Sequence, residues 1–297
     1  MINKVFFDIT NRCNAQCKYC FTNSTTNNSL ESLELPDDRI CDLIDELNIL
    51  GIKELSIGGG EPFLRDIPKI IKYAENKINL SITTNGTILT NEIIDSLKQS
   101  NIKITISLDS INSEISKSVR TGIDVDKVIN NIKRLIQVKE IYPKLSIRTT
   151  VSKYNINCLN EFLDFCTKNK IVKWKINSVN EFGRAKNSDL VPDFSQFMIK
   201  LDEIIDKMKD SETQVILPIE KYLGKENRNC TLGNNSIYID SFGNVYPCAF
   251  SEGNLCWGNI KSRNISEVIL DNFTHKDVIC ENCIINRYKD QEEKTVH

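Results

Sequence analysis

The chain has 297 residues, with 38 lysines and arginines against 40 aspartates and glutamates, for a formal net charge of −2. A balance this even argues against nucleic acid as the main partner, because phosphate binding calls for a basic field. No apolar run approaches the roughly 20 residues that span a bilayer, and residues 1–11 lack the pattern of a secretory signal, so the sequence reads as cytoplasmic and free of membrane contact.

The predicted elements alternate between two periods. Residues 4–9 read as a strand. Residues 36–50 carry apolar side chains at Ile40, Leu43, Ile44, Leu47 and Leu50, which is helical spacing. Strands follow at 53–57, 80–84, 102–108, 145–151 and 172–176, and helices at 67–77, 92–99, 126–141 and 159–169. Strand–helix units at this spacing mean a parallel sheet covered by helices. Six units are too few for a closed eight-unit barrel. The expected fold is therefore α/β, a partial (β/α)6 TIM-like barrel over residues 1–190. A helix at 194–209 places a helical linker over 191–229. Beyond it, residues 236–240 and 244–246 form a hairpin around Ser241-Phe242-Gly243, and a helix covers 265–272. This tail, 230–297, has too little apolar material for a core of its own and requires metal or docking onto the barrel.

Eleven cysteines in a chain without an export signal do not read as a disulfide framework. Reduced thiols serve as metal ligands, as catalysts or as small buried hydrophobes. Only two histidines are present, so metal ligation must rest on sulfur. Cys13, Cys17 and Cys20 lie on eight residues just after the first strand. By spacing alone they fit a zinc site with a distant fourth ligand, or a cubane iron–sulfur cluster with one iron left open to a small molecule.

Further motifs end the following strands in order. Gly59-Gly60-Glu61-Pro62 ends the second, Thr84-Asn85-Gly86 the third and Ser107-Leu-Asp109 the fourth, with Arg120-Thr-Gly122 and Gly183-Arg184-Ala185 beyond. Together with the Cys-x3-Cys-x2-Cys run and its aromatic Tyr19, this series resembles the radical S-adenosylmethionine (SAM) superfamily over about residues 3–185. The resemblance implies that Cys13, Cys17 and Cys20 hold a [4Fe-4S] cluster and that SAM chelates its open iron. Gly59, Gly60, Glu61 and Pro62 would meet the SAM amino group, glycine suiting a close backbone approach to ligand. Ser107 and Arg148 are the candidates for its carboxylate. Tyr19 would lie near the adenine, with Asn85 in the same cradle. Asp109 would contact the ribose or cap a turn. One electron from the reduced cluster would then release a 5′-deoxyadenosyl radical able to take hydrogen from an unactivated carbon. The electron would come from an external donor such as flavodoxin or ferredoxin.

A second set, Cys230, Cys248, Cys280 and Cys283, suits a four-thiolate zinc or a [4Fe-4S] cluster equally by spacing. Cys-x12-Gly-x4-Cys, then Trp257-Gly-Asn-Ile260, then Cys-x2-Cys is similar to the SPASM/Twitch extension of radical SAM enzymes. The resemblance implies a second, auxiliary [4Fe-4S] cluster in a Twitch-type form, since no cysteine follows Cys283. Cys41, Cys158 and Cys166 read as small hydrophobes. Cys256 stands next to Trp257 in a segment expected near the substrate. Its weak S–H bond makes it the candidate to return hydrogen to a substrate radical, as in some epimerases of the family. The aspartate base of sulfatase-maturing relatives is replaced by Ala249.

The expected substrate is a ribosomally made peptide, modified by epimerisation or cross-linking. An aminocyclitol or sugar is the alternative, because no N-terminal extension resembling a peptide-recognition domain is seen. A zinc or iron–sulfur binding module is the non-enzymatic alternative, and the Gly-Gly-Glu-Pro run has no purpose there.

Overall fold

The computed structural model describes residues 2–98, 101–218, 233, 235–251 and 255–272. The strands are β1 (Lys4–Thr10), β2 (Gln16–Cys17), β3 (Glu54–Gly59), β4 (Asn79–Thr84), β5 (Lys103–Ser107) and β6 (Arg120–Thr121). β7 (Leu145–Val151), β8 (Lys173–Ser178), β9 (Gln214–Ile216), β10 (Ser236–Ile239), β11 (Asn244–Tyr246) and β12 (Gly258–Asn259) complete them. The helices are α1 (Asp37–Ile49), α2 (Ile67–Ala74), α3 (Asn91–Lys98), α4 (Ser113–Val119), α5 (Val125–Ile136), α6 (Leu159–Lys168), α7 (Phe194–Lys207) and α8 (Ile265–Asn272).

One sheet runs in the order β12-β11-β10-β1-β3-β4-β5-β7-β8-β9. All neighbours from β10 to β9 are parallel, and only β11 and β12 are antiparallel. The period of two divides the sheet into unlike faces. Val5, Phe7, Leu55, Ile57, Leu80, Ile82, Ile104, Ile106, Ile147, Trp174 and Ile176 are buried on one face. They meet the apolar stripes of the helices, such as Ile40, Leu43, Ile44 and Leu47 of α1. The other face carries Asp8, Ser56, Ser81, Thr83, Thr105, Ser107, Ser146, Arg148, Thr150 and Lys175. This polar, concave face is the lumen of the partial barrel.

The six predicted barrel strands are all present, and three features depart from expectation. β9 lies in the segment expected as a helical linker and pairs with β8. Three residues are too short to display a period. The helix predicted over 126–141 ends at Ile136, and Tyr142–Lys144 forms a separate turn around Pro143, which cannot continue a helix. α4 has no counterpart in the sequence reading. Its signal was the Asn112 cap, whose side chain accepts from the Glu114 and Ile115 N–H groups.

The C-terminal hairpin docks on the barrel as an extension of its sheet. β10 lies parallel to β1 with Phe6 opposite Tyr238. The Tyr238 hydroxyl donates to Asp8 across that join at 2.5 Å. Burial, aided by nearby Asp240, pushes the Asp8 carboxyl up to about 7. Between the ordinary aspartate value and about pH 7 the folded chain therefore holds a proton that the unfolded chain has released. Stability contributed by this site is greatest in acid and falls as pH rises through that window. Asp8→Asn is expected to flatten that part of the stability profile, measured by urea denaturation at a series of pH values. A slope unchanged from the wild type would show that Asp8 does not titrate there.

Candidate active site

The site is built on the loop between β1 and the start of α1, at the C-terminal ends of the strands. Glycine holds its first wall. The Gly60 N–H donates to the Thr10 carbonyl and the Glu61 N–H to the Arg12 carbonyl, both at 2.8 Å. Gly59 has φ 102°. A Cβ on Gly59 would stand 2.5 Å from the Thr10 oxygen, and one on Gly60 1.9 Å from the Arg12 oxygen. The close approach that calls for glycine is thus to the chain entering the cysteine loop, where the sequence reading had assigned it to ligand.

Three more strand ends pin the loop. Asn85 Nδ2 donates to Asn14 Oδ1 at 2.7 Å, and Asn14 Nδ2 to Thr87 Oγ1 at 2.8 Å. β2 pairs with β6, placing Cys17 opposite Arg120. From the end of β8, Arg184 Nε donates to the Cys17 carbonyl at 2.7 Å and Nη1 to the Ser24 carbonyl at 2.6 Å. Gly183 has φ 57°, and a Cβ there would lie 2.4 Å from the Cys20 oxygen.

This clamp gathers the three thiols. Burial pushes Cys13 up to about 12, and Glu61, Cys17 and Cys20 add to the shift. Burial also raises Cys17, which the neighbouring Arg120 guanidinium opposes. Left alone Cys13 and Cys17 would remain thiols, and the charge of a bound metal would make thiolates of them. Among the described residues no three His, Cys, Asp or Glu side chains converge on a single-ion position. The charges of Cys17 and Cys20 reach Cys13, and the run offers three of the four sulfurs that a cubane takes.

Glu61 is fully buried beside them. Its Oε1 accepts from the Thr84 hydroxyl at 2.7 Å and the Phe63 N–H at 3.1 Å, and its Oε2 from the Asn85 N–H at 2.8 Å. Burial raises its pKa. Pro62 opens a buried 3-10 turn next to it. The Tyr19 hydroxyl donates to Asp109, whose other oxygen accepts the Thr150 N–H at 2.9 Å. Arg120 Nε lies 3.8 Å from the same carboxylate, and its Nη1 donates to the Ser107 carbonyl at 2.5 Å. Asp109 thus binds the cysteine loop, the fourth barrel strand and the fifth together. Ser107 and Arg148 pair in register on the lumen face.

In the hairpin segment, the Cys248 sulfur accepts the Phe250 N–H at 3.3 Å. Phe250 packs on Phe21 and Phe182, with ring centroids 5.7 and 5.6 Å apart. Those two rings directly follow Cys20 and directly precede Gly183, so the hairpin touches the first cysteine loop. Cys256 is exposed, its thiol 3.5 Å from the Gly258 carbonyl. Tyr246 senses it and lies on the lumen face with Tyr238. Cys230, Cys280 and Cys283 lie outside the described residues. Cys166 is buried, while Cys41 and Cys158 are half-buried. The sequence reading gave no role to Arg120, Arg184 or the three phenylalanines. Arg120 and Arg184 stood in motifs, but the rings had no local signal.

Residues 7–166 match the Radical SAM superfamily, and residues 230–284 match SPASM, an iron–sulfur cluster-binding domain. The chain is 27% identical to a probable GTP 3′,8-cyclase of Methanocaldococcus jannaschii, over 86% of this chain and 87% of that protein. It is 29% identical to the subtilosin biosynthesis protein AlbA of Bacillus subtilis, over 91% of this chain but 60% of AlbA. Among solved structures, Streptococcus suis SuiB bound to its precursor peptide SuiA superposes with a TM-score of 0.77 at 19% identity, over 94% of this chain and 66% of SuiB. SuiB has also been solved with SAM, with a TM-score of 0.79 at 18% identity over 96% of this chain and 71% of that one. The cofactors of the two matched domains are [4Fe-4S] clusters and SAM. Because the first match spans more than half of the chain and falls on the sheet that carries the clamped thiols, this protein belongs to the radical SAM superfamily of enzymes.

Proposed function

We propose that the protein modifies a peptide at an unactivated carbon, by epimerisation or cross-linking. The observation that carries this reading is the contact of Phe250 with Phe21 and Phe182. It sets the cysteine-bearing hairpin beside the radical site, so one substrate segment can meet both. The similarity to AlbA and to peptide-bound SuiB supports a peptide in that place.

In this reading Cys13, Cys17 and Cys20 hold the SAM-binding cluster, and Cys230, Cys248, Cys280 and Cys283 the auxiliary one. When bound, the reduced cluster and SAM supply a primary carbon radical. The protein's own residues position and shield it. Glu61, its two oxygens fixed by Thr84, Phe63 and Asn85, would hold the SAM ammonium, with the backbone of Gly59, Gly60 and Pro62 alongside. Ser107 and Arg148, paired in register on the lumen face, would meet the SAM carboxylate. Tyr19 and Asp109, hydrogen-bonded to each other, support the nucleoside side of the cradle together with Asn85. Burial of this floor excludes water from the reacting carbon. Cys256, exposed and near Tyr246, would donate its thiol hydrogen atom to the substrate radical, and the thiyl left on its sulfur would return to thiol by taking one electron from the external donor and one proton from water. An external one-electron donor such as flavodoxin or ferredoxin would supply the electron.

The test uses anaerobically reconstituted enzyme, SAM, dithionite and short peptides encoded beside the gene, in heavy water. Epimerisation is expected to place one solvent deuterium in the peptide. Cys256→Ala should still form 5′-deoxyadenosine but lose that product. Peptides returned unchanged while GTP is consumed would overturn the peptide reading.

A further inference from the structure

The lumen holds more positive charge than SAM accounts for. Lys175 on β8 faces inward opposite Arg148 on β7, and Arg148 pairs with Ser107 on β5. The Lys175 ammonium donates to the Thr105 hydroxyl at 3.1 Å and has no carboxylate within ion-pair distance among the described residues. The Arg148 Nε is buried without a hydrogen-bond partner, and the guanidinium makes no ion pair with a described residue. Lys4, Lys103 and Lys173 lie on the same face at the lower rim. The carboxylates of that face are engaged elsewhere. Glu54 is 3.2 Å from Lys4 and 3.5 Å from Lys103, and Asp8 is held by Tyr238.

Two half-buried cations side by side repel each other and have lost part of their hydration. Such a pair is stable when an anion stands between them. The single carboxylate of SAM can neutralise Arg148, and Lys175 is then left without a counter-charge. We propose that Lys175, oriented by the Thr105 hydroxyl, forms a carboxylate-recognition site in the lumen that seats an acidic side chain of the substrate peptide. The proposal rests on the peptide reading and narrows it to a peptide with a glutamate or aspartate near the modified carbon. Burial and then the charges of Arg148, Lys173, Lys4 and Lys103 push the Lys175 ammonium down to about 8. A bound carboxylate would raise it again.

The experiment is competitive acetylation of lysines in the reconstituted, SAM-loaded enzyme, read at Lys175 by peptide mass spectrometry. The probes are N-acetylglutamic acid α-amide, its glutamine counterpart and GTP. The acidic probe is expected to slow Lys175 acetylation several-fold, to shift its pH dependence upward, and to lose much of both effects in Thr105→Val, which frees the ammonium from its one hydrogen-bond partner among the described residues. The glutamine probe should do neither. Full protection by SAM with no further effect of the acidic probe would mean that the anion is SAM's own, and would overturn the proposal. So would equal protection by the glutamine probe, protection by GTP alone, or no protection at all. Because labelling is read without turnover, its failure is separable from failure of the peptide reading. That reading is tested by 5′-deoxyadenosine and deuterium incorporation in the same enzyme.

Discussion

Cys17→Ala is expected to reduce 5′-deoxyadenosine formation to background while leaving the fold in place. The two consequences separate because Cys17 plays two parts. Its backbone pairs with Arg120 in the β2–β6 ribbon and accepts from Arg184. Alanine preserves both contacts. Its sulfur lies beside the Arg120 guanidinium and is the middle ligand of the run in the proposed reading. Removing it leaves Arg120 with the Ser107 carbonyl and the Asp109 carboxylate, so no cation is stranded. The stability change should stay near the typical single-site cost of about 1 kcal/mol. Iron content should fall to that of the auxiliary site, and thermal unfolding of the metal-free protein should shift by no more than about 2–4 °C. Cys158→Ala, at the margin of α6, should retain iron and activity. Normal SAM cleavage by Cys17→Ala would remove the basis for a cluster in this loop.

The barrel was legible because its strands and helices carry their own periods. Every predicted barrel strand is present, since the alternation Val5, Phe7, Ile9 and its counterparts reports burial on one face. The chemistry was legible for a different reason: the motif residues stand at strand ends, where short runs of Gly, Glu, Asn and Asp break that alternation. Three kinds of feature were not legible. β9 is too short to show a period. The parallel join of β10 to β1 links residues more than two hundred positions apart and leaves no local trace, because parallel pairing has no connecting turn of its own. The inward direction of Lys175 depends on which face of β8 meets the helices. The sequence shows that face at Trp174 and Ile176, but a lysine between two apolar residues reads as an ordinary solvated position until the opposite face proves to be a lumen. Asp109 illustrates the same limit from the other side. Its sequence position suggested a local turn or a ribose, and in the fold its partners come from Tyr19, Thr150 and Arg120, three separate segments.

Gly60→Ala should unfold the site, and Gly58→Ala should not. At Gly60 the added methyl would lie 1.9 Å from the Arg12 oxygen and 2.6 Å from its carbonyl carbon. Both are backbone atoms, so no side-chain rotation relieves the overlap. The chain between Thr10 and Cys13 must shift, breaking the hydrogen bonds from Gly60 to Thr10 and from Glu61 to Arg12. Overpacking with backbone displacement costs about 1–3 kcal/mol or more, and two lost buried hydrogen bonds add about 1–3 kcal/mol each. The Cys13 end of the loop and Glu61 move together, so cluster loading should fall as well. At Gly58 the nearest atom to a new Cβ is Asp8 Oδ1 at 3.7 Å, an ordinary contact. That variant should unfold like the wild type. Urea denaturation of both variants without iron or SAM decides between two accounts of the glycine run. If its purpose is to let ligand approach the backbone, Gly60→Ala is damaged only when SAM is added. If its purpose is to seat the strand end against the cysteine loop, the loss is present in the metal-free protein. The 1.9 Å overlap with Arg12 requires the second result, and wild-type stability of metal-free Gly60→Ala would refute it.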